Sequence, residues 1–206
     1  MIRGLTRTWW LLALCGILDA MHAAVNLLML DPDGLVLRGF ALPNAVWDMG
    51  ILALAAGACA IAVGLWGRGR DNSWLLSLHG LALGAFGLIA VSPLVRGPLS
   101  FRPVSLLFVA MAASIGAFAL ATAQKIESGA PKRWFPRVAG AASIAFAFSF
   151  FAVGFHLVRL GPRSFFVWMS CYFGFCAIFM LWLAFRTGSQ DHTEPLPPLP
   201  SPRPAH

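Results

Sequence analysis

Charge is what this sequence has least of. Only 11% of its 206 residues are Asp, Glu, Lys or Arg, where a soluble domain carries about 25%. Other absences narrow the chemistry. There is no nucleotide-binding loop, HExxH zinc motif, GxSxG elbow or CxxC redox pair. The four cysteines, Cys15, Cys59, Cys171 and Cys176, lack zinc-finger spacing. All lie inside apolar runs, where small buried hydrophobes are expected. Cys171 and Cys176 are five apart and do not share a helical face. No interleave of aromatic and basic residues suggests nucleic acid as a partner. Nothing in the sequence implies a cofactor, a metal or a catalytic residue.

What the chain has instead is hydrophobic length. It is 59% hydrophobic, with mean hydropathy +0.76. The runs are about twenty residues long, the span of a helix across a bilayer. They lack the two-residue alternation of a spanning strand. Backbone groups in lipid must be paired internally, so such runs must be helices. The expected fold class is all-α, a polytopic membrane protein with the lipid bilayer as its solvent.

A repeated string sets the organisation. Trp10-Leu-Leu-Ala-Leu-Cys-Gly16 returns as Trp74-Leu-Leu-Ser-Leu-His-Gly80, with five of seven residues shared. Trp134-Phe-Pro-Arg-Val-Ala-Gly140 keeps only the Trp and the Gly. A tryptophan opening an apolar helix suits the membrane interface. A glycine one and a half turns deeper lets another helix come close. Six spans follow, at about Leu5–Leu30, Pro43–Trp66, Ser73–Val95, Phe101–Thr122, Trp134–Leu160 and Ser164–Phe185. They form three tandem hairpins, about 5–66, 73–122 and 134–186, in a transmembrane domain over 1–186. Each hairpin opens with the Trp-x5-Gly unit, so the repeats are parallel in topology, unlike inverted transporter repeats.

The first span has a basic flank, Arg3 and Arg7. Its length and its lack of a small-x-small cleavage site mark it as a retained helix and not a signal peptide. Asp31-Pro-Asp-Gly34 is a turn signal, and 35–42 reads as a short apolar return at the interface. Residues 187–206 read as a disordered proline-rich tail; an extended segment that docks to an aromatic groove is the sharper alternative. Gly80, Gly84 and Gly87, Ala112 and Gly116, Ser170 and Gly174, and Ala139, Ser143 and Ala147 form small-residue faces for helix packing or self-association.

Asp19 is the most informative single residue. It lies nine residues past Trp10, about 13 Å deeper at 1.5 Å per residue. A carboxylate there is costly and should be protonated, paired or wet. His22 and Asn26 follow on the same helical face. Asp48, early in the second span, is expected at a similar depth. Asp19, His22, Asn26 and Asp48 are therefore a candidate intramembrane cluster. Three readings are open for it: a structural clasp, proton or ion handling, or a polar-ligand site. Asp48 alternatively serves the N-terminus of its own helix. His22 and His79 differ in depth by about 10 Å, which argues against shared metal or haem ligation. His156, near Arg159, reads as an interfacial residue.

The three hairpins, the Trp-x5-Gly units, Gly16-Ile-Leu-Asp19 and the terminal Leu-Trp-Leu-Ala-Phe-Arg186 resemble the HdeD-like family of small bacterial membrane proteins. That resemblance implies a bacterial inner-membrane protein with a role linked to acid resistance. It transfers no catalytic residues. The acidic first turn, His22, His79 and the proline-rich tail depart from it. The expected function is a non-enzymatic inner-membrane protein of acid or envelope stress. The alternative is a small transporter or channel for protons, ions or a small polar solute, with a wet path from Asp19 and Asp48 to each surface.

Ten of the fifteen Lys and Arg residues fall in segments that are cytoplasmic if both termini face inward, the orientation that the positive-inside rule favours. Fusion of a fluorescent protein at the C-terminus should therefore fluoresce, and fusion of alkaline phosphatase there should be silent. An active C-terminal phosphatase would reverse the orientation.

Overall fold

A computed structural model describes residues 8–28, 42–66, 72–92, 101–125 and 134–191. The expected turn at 31–34, most of the return at 35–42, most of the basic linkers and the proline-rich stretch lie outside them. The described chain is all-helical: α1 (Trp9–Leu28), α2 (Leu42–Trp66), α3 (Trp74–Val91), α4 (Phe101–Lys125), α5 (Trp134–Gly154) and α6 (Pro162–Asp191). Each is long and apolar enough to cross a membrane. Pro43, Pro103, Pro136 and Pro162 all sit in the first turn of a helix, where a missing N–H breaks no helical bond.

Two ends differ from the sequence expectation. α5 stops at Gly154 and does not run to Leu160. His156 adopts a left-handed conformation, φ 59°. Its N–H donates to Val153 O, and Leu157 N–H donates to Ala152 O. This is a Schellman cap, with a histidine in the place glycine usually takes. α6, in contrast, continues past Phe185 to Asp191. Thr187 is buried, and its hydroxyl donates to Leu183 O and Ala184 O at 2.9 and 3.0 Å. The first residues expected in the tail thus belong to the last helix.

The packing follows the repeat in an unexpected way. The tightest helix pairs are α2 with α3, α4 with α5, and α1 with α6. Contact within the hairpins is looser, α5 and α6 touching least. Every Trp-x5-Gly helix therefore packs hardest on the second helix of the preceding hairpin, and α6 serves as the predecessor of α1. The motif glycine is the point of approach each time. A methyl group placed on Gly80 would lie 2.5 Å from Gly57 O of α2. On Gly140 it would lie 2.6 Å from Leu120 Cγ and 3.0 Å from Gly116 O of α4. On Gly16 it would meet Leu181 Cγ at 2.8 Å and Ala177 O at 3.1 Å, on α6. The third copy of the string, weak as sequence, does the same work as the first two. The motif tryptophans point outward: Trp10, Trp74 and Trp134 are 52%, 61% and 62% exposed, as interface anchors should be.

Not every glycine of the small-residue faces has to lack a side chain: the Gly84 backbone faces Gly57, but its own Cβ direction is open. A methyl group on Gly84 would meet nothing within 4 Å. Gly84→Ala should be neutral or stabilising, because alanine is the better helix former. Gly80→Val should destabilise by about 1–3 kcal/mol through overpacking against backbone. Thermal unfolding of the two variants in detergent micelles measures the contrast, and equal Tm values would contradict the assigned contact.

Candidate functional site

The odd-numbered helices share an inner face. Counting from the motif tryptophan, position +5 holds Cys15, His79 and Ala139, and position +9 holds Asp19, Leu83 and Ser143. All six are buried, none more than 1% exposed. The spacing of four matches one stripe of a 3.6-residue helix. The inner face therefore repeats three times, while its chemistry does not.

Along α1 this stripe carries Cys15, Asp19, His22 and Asn26, all buried. Asp19 Oδ2 has no hydrogen-bond partner among the described residues. Around Asp19, near enough to interact with it electrostatically, stand Cys15 of the same helix, Cys59 of α2, and Tyr172 and Cys176 of α6. Tyr172 is the one tyrosine in the chain and is fully buried. Its hydroxyl lies beside the Cys176 thiol without a well-formed hydrogen bond. Cys15 Sγ points to Ala56 O at 3.7 Å. Asn26 turns back on its own helix, donating from Nδ2 to His22 O at 2.9 Å. Ser170 Oγ of α6 donates to Ala23 O at 2.8 Å, tying α6 to α1.

His22 belongs to a closed circuit of rings. It stacks on Phe173 with centroids 3.9 Å apart and planes 19° apart, and on its other side it meets Phe86 at 6.1 Å. Phe86 meets Phe108 at 4.9 Å, Phe108 meets Phe150 at 5.2 Å, Phe150 meets Tyr172 at 5.3 Å, and Tyr172 returns to Phe173 at 5.3 Å. Five of the six helices supply a ring; α2 supplies small residues instead, with Ala53, Ala56 and Ala60 buried. The position of His22, twelve past the motif tryptophan, is Phe86 in the second repeat and Phe146 in the third. Histidine here fills an aromatic place in the repeat. Edge-to-face and offset contacts of this kind add about 0.5–1.5 kcal/mol per pair to the area they bury.

The sequence grouping of four resolves into three plus one. Asp19, His22 and Asn26 share the buried face. Asp48 is half-buried near the start of α2, and no hydrogen bond or ion pair joins it to the other three among the described residues. Its neighbour Met49 turns inward instead, against Val25 of α1 and Phe166 of α6. His79 is also buried, with Nδ1 3.2 Å from Met111 O of α4. Tyr172 and Cys176 were missed. They lie four apart on α6, a same-face spacing, but only the α1–α6 pairing brings them to Asp19. Of the cysteines, Cys15 and Cys176 are buried and Cys59 partly so, while Cys171 faces outward.

Asp19 Oδ2, His22 Nε2, His79 Nε2, Ser143 Oγ and Tyr172 Oη are all buried without a hydrogen-bond partner among the described residues. Each such atom costs about 1–3 kcal/mol, and native structures hold few of them. Their concentration on the inner faces makes this the candidate site. Among the described residues no three His, Cys, Asp or Glu side chains converge on a metal-binding arrangement. No family model matches the chain, and neither a curated protein nor a solved structure does.

If His22 serves as a ring, His22→Phe should keep the thermal stability within about 1.5 kcal/mol, as for other volume-conserving swaps. Phe173→Ala, which removes the ring beneath it, should cost about 3–5 kcal/mol. Collapse of His22→Phe in micelles would show that the imidazole nitrogens, and not the ring, hold the position.

Proposed function

We propose that the protein is a non-enzymatic inner-membrane protein of acid or envelope stress, akin to the HdeD-like family, with both termini in the cytoplasm and Asp19 as its proton-responsive element. The observation that carries this reading is the burial of Asp19 at the bundle centre, 1% exposed and with an unpartnered oxygen. Gain or loss of one proton there changes the charge of a core with no described counter-ion. Burying an unpaired charge is among the costliest events in a protein interior. A membrane protein with such a residue responds to proton supply through the packing of α1 on α2 and α6.

The likeness to the family rests on the sequence alone: the three hairpins, the Trp-x5-Gly units, Gly16-Ile-Leu-Asp19 and the terminal Leu-Trp-Leu-Ala-Phe-Arg186. The transport reading required a wet path from Asp19 and Asp48 to both surfaces. Asp19 is instead enclosed, the ring circuit passes through His22 one turn away, and among the described residues no hydrogen bond or ion pair ties Asp48 to Asp19. The described structure therefore favours a packing response over conduction.

Asp19→Asn keeps the side-chain shape and removes its proton chemistry. It should insert and fold, while acid survival of cells that depend on the protein falls to the level of cells lacking it. Asp48→Asn should leave survival unchanged. Wild-type survival with folded Asp19→Asn would end the proton reading. Failure of Asp19→Asn to fold, with Asp19→Leu folding, would assign the residue to packing alone.

A further inference from the structure

The ring of helices is loosest between α5 and α6, and clefts open at that seam. One, of about 750 Å³, is walled by Phe148, Ala152, Val153, Leu160, Val167 and Trp168, with Arg163 on its lining. A second, of about 770 Å³, adjoins it across Val153, Val158 and Leu160 and carries His156 and Arg159. Both volumes fall in the range of small-molecule sites, roughly 300–1,000 Å³. The walls are mostly apolar: at depth the one hydroxyl, Ser149, donates to Ala145 O of its own helix, and the charged groups lie near the turn that joins the two spans. From Gly154 to Phe148 the larger cleft descends six residues into α5, about 9 Å along the axis.

Charge decides what fits. Arg159 and Arg163 flank the Gly161-Pro162 turn, and both are exposed. A third arginine, Arg102 at the start of α4, lies over the Phe155 ring of the same turn at 5.9 Å. None of the eight acidic residues of the chain falls between Glu127 and Asp191. The cleft mouth thus presents arginines, and the one carboxylate on its two helices, Asp191, lies at the opposite end of α6. Water-exposed arginine at headgroup level above an apolar furrow is complementary to one class of molecule in a membrane.

We propose that the α5–α6 seam is a binding site for an anionic phospholipid, with an acyl chain in the apolar cleft and the phosphate on Arg159 and Arg163. The guanidinium fork suits a phosphate group. The lipid would supply the packing surface that α5 and α6 do not give one another. A second copy of the chain would need to bury the same arginines, and they have no acidic patch on these helices to meet.

Native mass spectrometry of the purified full chain tests this, with phosphatidylglycerol or phosphatidylcholine of equal chain length added to the micelles. Phosphatidylglycerol should be retained more strongly by roughly tenfold or more, as expected for two arginines at an anionic surface. The preference should disappear in R159A/R163A and persist in R159K/R163K, with Tm unchanged because both side chains are exposed. Inorganic phosphate should not displace the lipid; displacement would point to a free-phosphate site and overturn the proposal. Equal retention of both lipids by the wild type would overturn it, as would undiminished preference in R159A/R163A, or a dimer that excludes lipid.

Discussion

The approach of two backbones at the glycine of Trp-x5-Gly is the contact on which the bundle depends. Lipid offers no hydrophobic drive between helices, so association must come from close van der Waals fit and polar ties. Gly80 against Gly57, Gly140 against Gly116 and Gly16 against Ala177 repeat one solution three times. The paired helices are brought near enough for their inner stripes to face the centre. Without that approach, Cys15, His79 and Ala139, one position before the glycines, would not be buried together.

The same geometry explains why the core is aromatic at one level and small at another. Close backbones on the glycine side leave less room between paired helices and more at the centre. Rings fill it: Phe86, Phe108, Phe150, Tyr172, Phe173 and the imidazole of His22. α2 brings alanines to the packing, as suits a helix that also meets α3 at Gly57 and Gly80. The largest buried side chains, Tyr172, Phe108 and Phe150 among them, are supplied by α4, α5 and α6. α3, α4 and α5 carry both kinds of residue, a ring at Phe86, Phe108 or Phe150 and a contact glycine at Gly80, Gly116 or Gly140.

Much of this was legible in the sequence. Six helices followed from run length, and the motif from its repetition. The buried face of Asp19, His22 and Asn26 followed from helical spacing alone. What was not legible was partnership. Hairpin connectivity puts Asp48 at a depth near that of Asp19 on a neighbouring helix, but the tightest contact of α1 is with α6, about 150 residues on in sequence. Tyr172 and Cys176 could not be assigned to Asp19 without that pairing. The aromatic identity of His22 was readable: aligning the three repeats at their tryptophans puts it with Phe86 and Phe146. Comparing only the position of Asp19 hid it. The early end of α5 depends on a left-handed histidine, and no glycine or asparagine marks that place in the sequence.

Closure of the ring by the first and last helices has a consequence for Asp19. α3 and α5 each pack on a helix made just before them, but α1 must wait for α6. Until α6 docks, the stripe of Asp19, His22 and Asn26 lacks Tyr172, Phe173 and Cys176 as its cover, and Ser170 is not yet tied to Ala23. A carboxylate in an uncovered membrane helix is costly, so the docking of α6 relieves a penalty that no other pair of the bundle carries. α6 is also the helix that touches its own hairpin partner least. Its position is therefore set mainly by α1, through the Gly16 contact and the polar stripe beside it. Asp19 therefore lies in the contact that closes the bundle, between the first helix and the last.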